Sequence, residues 1–123
     1  MNIPADRQYT AEHEWVARDG DTATIGITEF AANSLGDVVY LELPQVGATV
    51  SAGQVCGEIE STKSVSELYA PVTGTVVSIN QAAIESPESV NEDPYGAGWL
   101  MTVTVTQAGP LLSADEYAAI TGS

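Results

Sequence analysis

The chain has 123 residues, enough for one compact domain that buries a real core without disulfide staples. Seventeen carboxylates face only Arg7, Arg18 and Lys63, a formal net charge of −14; such a surface repels nucleic acid and anionic membrane, and suits docking on basic protein surfaces or a salty surrounding. A hydrophobic content of 44% excludes an acidic disordered tail. Phe30, two Trp and five Tyr are the only aromatics, so the core is expected to be mainly aliphatic. One histidine, His13, and one cysteine, Cys56, form no His/Cys cluster. That sets aside zinc sites, Ser-His-Asp and Cys-His machinery, and an internal disulfide. Cys56, in a strand-like run, is read as a buried apolar residue.

In chain order, a short extended run over residues 12–16 meets a turn at Arg18-Asp19-Gly20-Asp21. Residues 22–27 alternate and are rich in β-branched side chains, which predicts the second strand of a hairpin. Thr28 caps a short helix with Glu29 in its first turn; Phe30, Ala31 and Leu35 share one side, and Gly36 ends it. Residues 37–43 read as a strand stopped by Pro44, before a turn at Gln45-Val46-Gly47. Short strands broken by glycines then run up to Lys63 and away from it, with Gly53 ten residues before and Gly74 eleven after. This suggests two similar β halves meeting at one hairpin. Residues 78–94 are polar and read as mostly loop, residues 99–105 as a strong strand, and Ser113 caps a final helix running through Ile120. Many short strands with two peripheral helices argue a small β-sandwich or flattened barrel. Trp15, Tyr40 and Trp99 are expected to be core or cleft-lining aromatics. Pro44, Pro71 and Pro94 are read as marking strand ends, and Gly36, Gly53 and Gly74 as serving turns.

Lys63 is the only lysine, in Glu58-Ile59-Glu60-Ser61-Thr62-Lys63-Ser64-Val65-Ser66-Glu67. Lysine is normally among the commonest residues. An amine kept alone between two strands serves as a Schiff-base nucleophile, a charge, or an attachment point for a cofactor. The surroundings favour attachment. Ser61, Thr62 and Ser64 are small and polar and leave the amine open to a modifying enzyme, while the two strands hold the tip in place. A Schiff-base enzyme would need an apolar pocket around the amine; Glu58, Glu60 and Glu67 crowd it with carboxylates instead.

The chain resembles the glycine cleavage H-protein family. The pieces that carry the resemblance are Tyr9-Thr10-Ala11-Glu12-His13-Glu14-Trp15-Val16, Ala23-Thr24-Ile25-Gly26-Ile27-Thr28, Leu35-Gly36-Asp37-Val38-Val39-Tyr40-Leu41-Glu42-Leu43-Pro44, the run from Gly57 through Lys63 to Gly74, and Val90-Asn91-Glu92-Asp93-Pro94-Tyr95-Gly96-Ala97-Gly98-Trp99-Leu100. They cover roughly residues 9–105 in order. The resemblance implies a mainly β fold, a lipoyl-type barrel-sandwich hybrid of short antiparallel strands with small peripheral helices, in a single domain over residues 1–123. It implies lipoate in amide linkage on Lys63, with no catalytic and no metal-binding residue on the chain. The implied partners are a pyridoxal-phosphate glycine decarboxylase, a tetrahydrofolate-dependent aminomethyltransferase, a dihydrolipoamide dehydrogenase, and a lipoate ligase or octanoyltransferase. The implied state is a cytoplasmic monomer. Glu14 and Glu67 match acidic positions around a cleft that receives the loaded arm; they either hydrogen-bond its ammonium or stay solvated charges. Glu60 is read by the lipoylating enzyme or merely adds acidity.

Other carriers fit less well. Lipoyl domains of 2-oxoacid dehydrogenases usually carry Asp-Lys-Ala at the tip and flexible linkers, and biotin carriers have Met on both sides of the lysine; this chain has Thr62-Lys63-Ser64. A relay that passes octanoyl or lipoyl groups to other proteins would use the same lysine and stays open. Some relatives carry His just before the Leu-Gly motif, where this chain has Asn33-Ser34, so the hold on a loaded arm is expected to differ here. The N-terminus lacks a basic stretch followed by an apolar run, and no signal peptide or membrane span is expected.

Overall fold

The computed structural model describes residues 2–122. In chain order it contains β1 (Gln8–Tyr9), β2 (Glu14–Asp19), β3 (Thr22–Ile27), α1 (Glu29–Leu35), β4 (Val38–Glu42), β5 (Thr49–Val50), β6 (Val55–Ser61), β7 (Val65–Tyr69), β8 (Val72–Ile79), α2 (Gln81–Glu85), α3 (Glu88–Glu92), β9 (Met101–Ala108) and α4 (Ala114–Thr121). Every pairing is antiparallel. One sheet has six strands in the order β1-β2-β3-β9-β8-β5, the other three in the order β4-β6-β7. Two short-stranded antiparallel sheets with small helices at their margins form the barrel-sandwich expected above.

The central run folds back on itself about Lys63. Glu60 faces Val65 and Val55 faces Tyr69 in the small sheet, and further out Val50 faces Gly74 in the large one. A single long hairpin therefore passes from one sheet into the other, and its tip projects from the small sheet.

Between the sheets lies an aliphatic core that includes Ile25, Leu41, Ile59, Leu68, Val76 and Val103. The aromatics form a separate cluster of Tyr9, Trp15 and Tyr117, with Tyr95 and Trp99 packed against it. Tyr9 and Tyr117 stack at 4.9 Å between ring centroids, which ties α4 to β1. Trp15 lies over Gly26, where any side chain would collide with the indole, and its Nε1 donates to the Pro94 carbonyl.

Both predicted helices form as read. The Thr28 hydroxyl accepts from Ala31 N–H, and Ser113 with Glu116 makes a reciprocal capping box on α4. Several expectations are corrected. Residues 78–94 are not mostly loop: β8 runs through Ile79, and α2 and α3 follow, capped at Asn80 and opened at Pro87. Four short helices are present among the described residues, not two. Gly74 serves no turn; it lies within β8 beside a register shift, where a side chain would collide with the Thr104 carbonyl. Pro94 follows α3 rather than marking a strand end. Tyr40 is 53% exposed, because a register shift between Val38 and Tyr40 breaks the strand alternation. Cys56 is only partly buried, and the last strand begins at Met101 rather than Trp99.

Candidate functional site

The tip of the β6–β7 hairpin is held by Ser61. Its backbone N–H donates to the Ser64 carbonyl at 2.8 Å. Its hydroxyl accepts from the Ser64 and Lys63 N–H groups at 3.1 and 3.3 Å and donates to the Ser64 carbonyl at 3.2 Å. That hydroxyl is fully used, which fixes the turn from inside. Thr62, Lys63, Ser64 and Val65 are all exposed. The tip is also tied to the end of α1: Thr62 N–H donates to the Asp37 carbonyl at 3.0 Å. Asn91 of α3 secures that platform, donating to the Gly36 carbonyl at 2.7 Å and accepting from Val38 N–H at 2.8 Å.

Gly36 has φ 79° and ψ −159°, a backbone conformation open only to glycine. The Lys63 side chain lies across it. A Cβ at position 36 would be 3.2 Å from Lys63 Cε and 3.9 Å from Nζ. The sequence therefore shapes a shallow bed for the stem of its one lysine.

Beside the tip is a cleft of about 260 Å³ between α1, the start of β2 and β7. Ile27, Phe30, Leu35, Ile59 and Leu68 give it an apolar wall; Glu12, His13, Glu14, Ser66 and Glu67 give it polar ones. Glu14 is 2% exposed and forms no ion pair among the described residues. Its Oε1 accepts from the Thr10 hydroxyl at 2.6 Å and its Oε2 from Tyr69 N–H at 3.4 Å. Loss of water pushes its pKa up to about 7, against the lowering effect of those two bonds. Glu14 also walls a second cavity of about 190 Å³ with Thr10, Tyr69, Ala70 and Pro71.

His13 has φ 70°, the one non-glycine residue with positive φ among those described. Its ring lies 4.5 Å from that of Phe30, and its Nδ1 is 2.7 Å from the Tyr117 hydroxyl. Burial lowers its pKa from 6.5, against the raising effect of the Glu12 carboxylate, which favours the neutral ring.

The sequence-derived candidates thus separate. Glu14 and Glu67 line the cleft next to the Lys63 tip, Glu14 buried and Glu67 exposed. Glu60 does not line it; it is exposed on β6 opposite Val65. Glu12, His13 and Ser66 join the cleft without having been singled out for it. The signal available for His13 was its place directly before Glu14. Among the described residues no group of His, Cys, Asp and Glu side chains is arranged to hold a metal, and no helix is long and apolar enough to cross a membrane.

A family model described as Glycine cleavage H-protein matches residues 7–122. The chain is 64% identical to a glycine cleavage system H protein of Beutenbergia cavernae, over 98% of each chain. It is 60% identical to one from Mycobacterium avium, over 92% of this chain and 86% of that one. Among solved structures it superimposes on a crystal structure of a glycine cleavage system H protein (GCVH) from Mycobacterium marinum. The TM-score is 0.95 at 51% identity, covering 98% of this chain and all of the other.

Proposed function

The chain belongs to the glycine cleavage H-protein family, and from that premise we propose that it is a lipoyl carrier of the glycine cleavage system with lipoate in amide linkage on Lys63. The observation that carries the site assignment is the bed at Gly36. The only lysine stands on a hydrogen-bonded two-strand tip, its stem passes close over Gly36, where an added methyl would crowd it, and a cleft opens beside it. The residues present fit the group: the apolar wall of Ile27, Phe30 and Leu35 matches a hydrocarbon chain, and the acidic end matches an amine.

When bound, lipoate supplies a strained cyclic disulfide that opens to take a one-carbon amine unit on one sulfur and later closes again. Everything else falls to this chain's own residues. Ser61 and its bonds keep the tip from collapsing, so the arm sweeps from a fixed base and reaches a docked partner at high effective concentration. Glu14, desolvated and without an ion pair among the described residues, would gain a charge-assisted partner from an ammonium in the cleft, and Glu67 at the rim adds to the same field. The apolar wall of Ile27, Phe30 and Leu35 would shield an amine held beside it from water. Amide formation removes the Lys63 charge, leaving the carrier still more acidic for docking on basic partner surfaces. No proton transfer is required of the protein, which we read as a non-catalytic carrier.

On this reading the carrier is a single-domain cytoplasmic monomer. Its partners are a pyridoxal-phosphate glycine decarboxylase, a tetrahydrofolate-dependent aminomethyltransferase and a dihydrolipoamide dehydrogenase; a lipoate ligase or octanoyltransferase, reading Glu60 beside the tip, installs the arm. The test is reconstitution. Lipoylated carrier added to those three enzymes should give glycine- and tetrahydrofolate-dependent reduction of NAD, absent with Lys63→Arg. A chain that accepts octanoyl groups and passes them on, yet supports no glycine-dependent turnover, would instead be a relay.

A further inference from the structure

The cleft contains a group that the carrier reading leaves unused. His13 lines it, and only one of its two ring nitrogens has a partner: Nδ1 faces the Tyr117 hydroxyl at 2.7 Å, and no described residue bonds Nε2. The Tyr117 hydroxyl is in turn 2.7 Å from Thr28 Oγ1. Tyr117 and Thr28 are completely buried, so the protons along this chain must all be satisfied within it.

That requirement orders them. Thr28 Oγ1 caps α1 by accepting from Ala31 N–H at 3.2 Å, and its own proton has the Tyr117 oxygen as its acceptor. The Tyr117 proton then goes to His13 Nδ1, because a phenol with its pKa pushed up to about 12 by burial stays protonated. The opposite order would leave the Thr28 proton buried without an acceptor among the described residues. An imidazole that accepts at Nδ1 carries its proton on Nε2. The C-terminal helix therefore sets the cleft histidine as a neutral donor, among walls whose other polar side chains include the carboxylates of Glu12, Glu14 and Glu67.

We propose that His13 is an arm-binding residue of the cleft, presenting Nε2–H to a hydrogen-bond acceptor on the docked lipoyl arm, and that Tyr117 is the positioning residue that fixes its tautomer. This rests on Lys63 as the attachment site. The division of labour is chemical: carboxylates suit the amine end of the arm, and the neutral N–H donor suits its acceptors, the amide oxygen or the free sulfur.

Because His13 is the only histidine, its imidazole resonances are unambiguous. The experiment is two-bond ¹⁵N–¹H correlation of the ring in unmodified, octanoyl and glycine-loaded carrier, with mass spectrometry confirming the group on Lys63. The Nε2–H tautomer should dominate in the unmodified protein. Tyr117→Phe, which keeps the ring that stacks on Tyr9, should convert it to a mixture. Loading should shift the Nε2–H signal and slow its exchange with solvent. A shift already present with the octanoyl arm assigns the acceptor as the amide oxygen; a shift only on loading assigns it as the sulfur. In a parallel assay His13→Asn, a residue that tolerates the left-handed backbone, should release ammonia from the loaded carrier faster than the parent. An Nδ1–H tautomer in the unmodified protein, or ring signals identical in unmodified and loaded protein, would overturn the proposal. A chain that takes no group on Lys63 would overturn the carrier reading and with it His13's role toward an arm. The tautomer and its dependence on Tyr117 would still be read on the unmodified protein.

Discussion

Lys63 rests on Gly36. The aliphatic stem of the only lysine crosses the residue that ends α1, and a methyl group there would sit 3.2 Å from Lys63 Cε. Gly36→Ala therefore acts twice. The backbone at φ 79° and ψ −159° is open only to glycine, so forcing alanine into it is expected to destabilise the fold by about 1–3 kcal/mol. The added methyl also pushes the lysine stem aside by a few tenths of an ångström and should slow attachment of lipoate slightly. Urea unfolding and the rate of lipoylation by a ligase read the two effects separately.

Glu14 should make stability depend on pH in an unusual direction for a carboxylate. Burial raises its pKa from 4.5 to about 7 in the folded chain. Below pH 4.5 the group is protonated in both states and burial carries no charge penalty. Between pH 4.5 and 7 the unfolded state ionises while the folded group keeps its proton, so stability is lost over that window, by about 3 kcal/mol, and levels off above it. Glu14→Gln removes the titration. The unfolding free energy of the variant minus that of the parent should grow by about that amount between pH 4.5 and pH 8 in urea titrations. A difference independent of pH would show that Glu14 does not titrate there.

Ser61 carries the tip through two accepted backbone bonds and one donated. Ser61→Ala leaves the Lys63 and Ser64 N–H groups without that acceptor, and is expected to cost about 1–2 kcal/mol. Its sharper effect is on presentation: thermal stability should fall by a few degrees, while the ligase's KM for the carrier rises more than its kcat falls.

Cys56 is expected to be inert. Burial first, and the neighbouring Glu14 carboxylate second, push its thiol pKa up to about 12, which keeps the thiolate fraction negligible at neutral pH. A disulfide exchange reagent at pH 7.5 should leave Cys56 unreacted in the folded, unmodified chain and modify it after denaturation. Rapid reaction in the native state would contradict the packing around β6.

Much of this molecule was legible in its sequence, because short-range chemistry decides those parts. The Thr28 and Ser113 caps, the Gly20 turn and the hairpin about Lys63 each follow from residues a few positions apart. What the sequence concealed has particular causes. Helices α2 and α3 span five residues each, too few for an apolar period to emerge, although Asn80 and Pro87 at their starts were readable signals. Tyr40 was misread because a single register shift in β4 breaks the alternation on which the reading depends. The resemblance placed Glu14 at the cleft but left open whether it is a solvated charge; its burial arises from Tyr69, far along the chain, and from the turn through Thr10. Tyr117 was invisible as a site residue, since its partners His13 and Thr28 lie 104 and 89 residues away.

The central claim is that Lys63 bears the arm, and intact mass followed by peptide mapping tests it most directly. After incubation with a lipoate ligase, ATP and lipoate, one lipoyl group should appear on the peptide containing Lys63, and Lys63→Arg should abolish it. A parent chain left unmodified under conditions that lipoylate a known carrier, or one modified only at its N-terminal amine, would contradict the account.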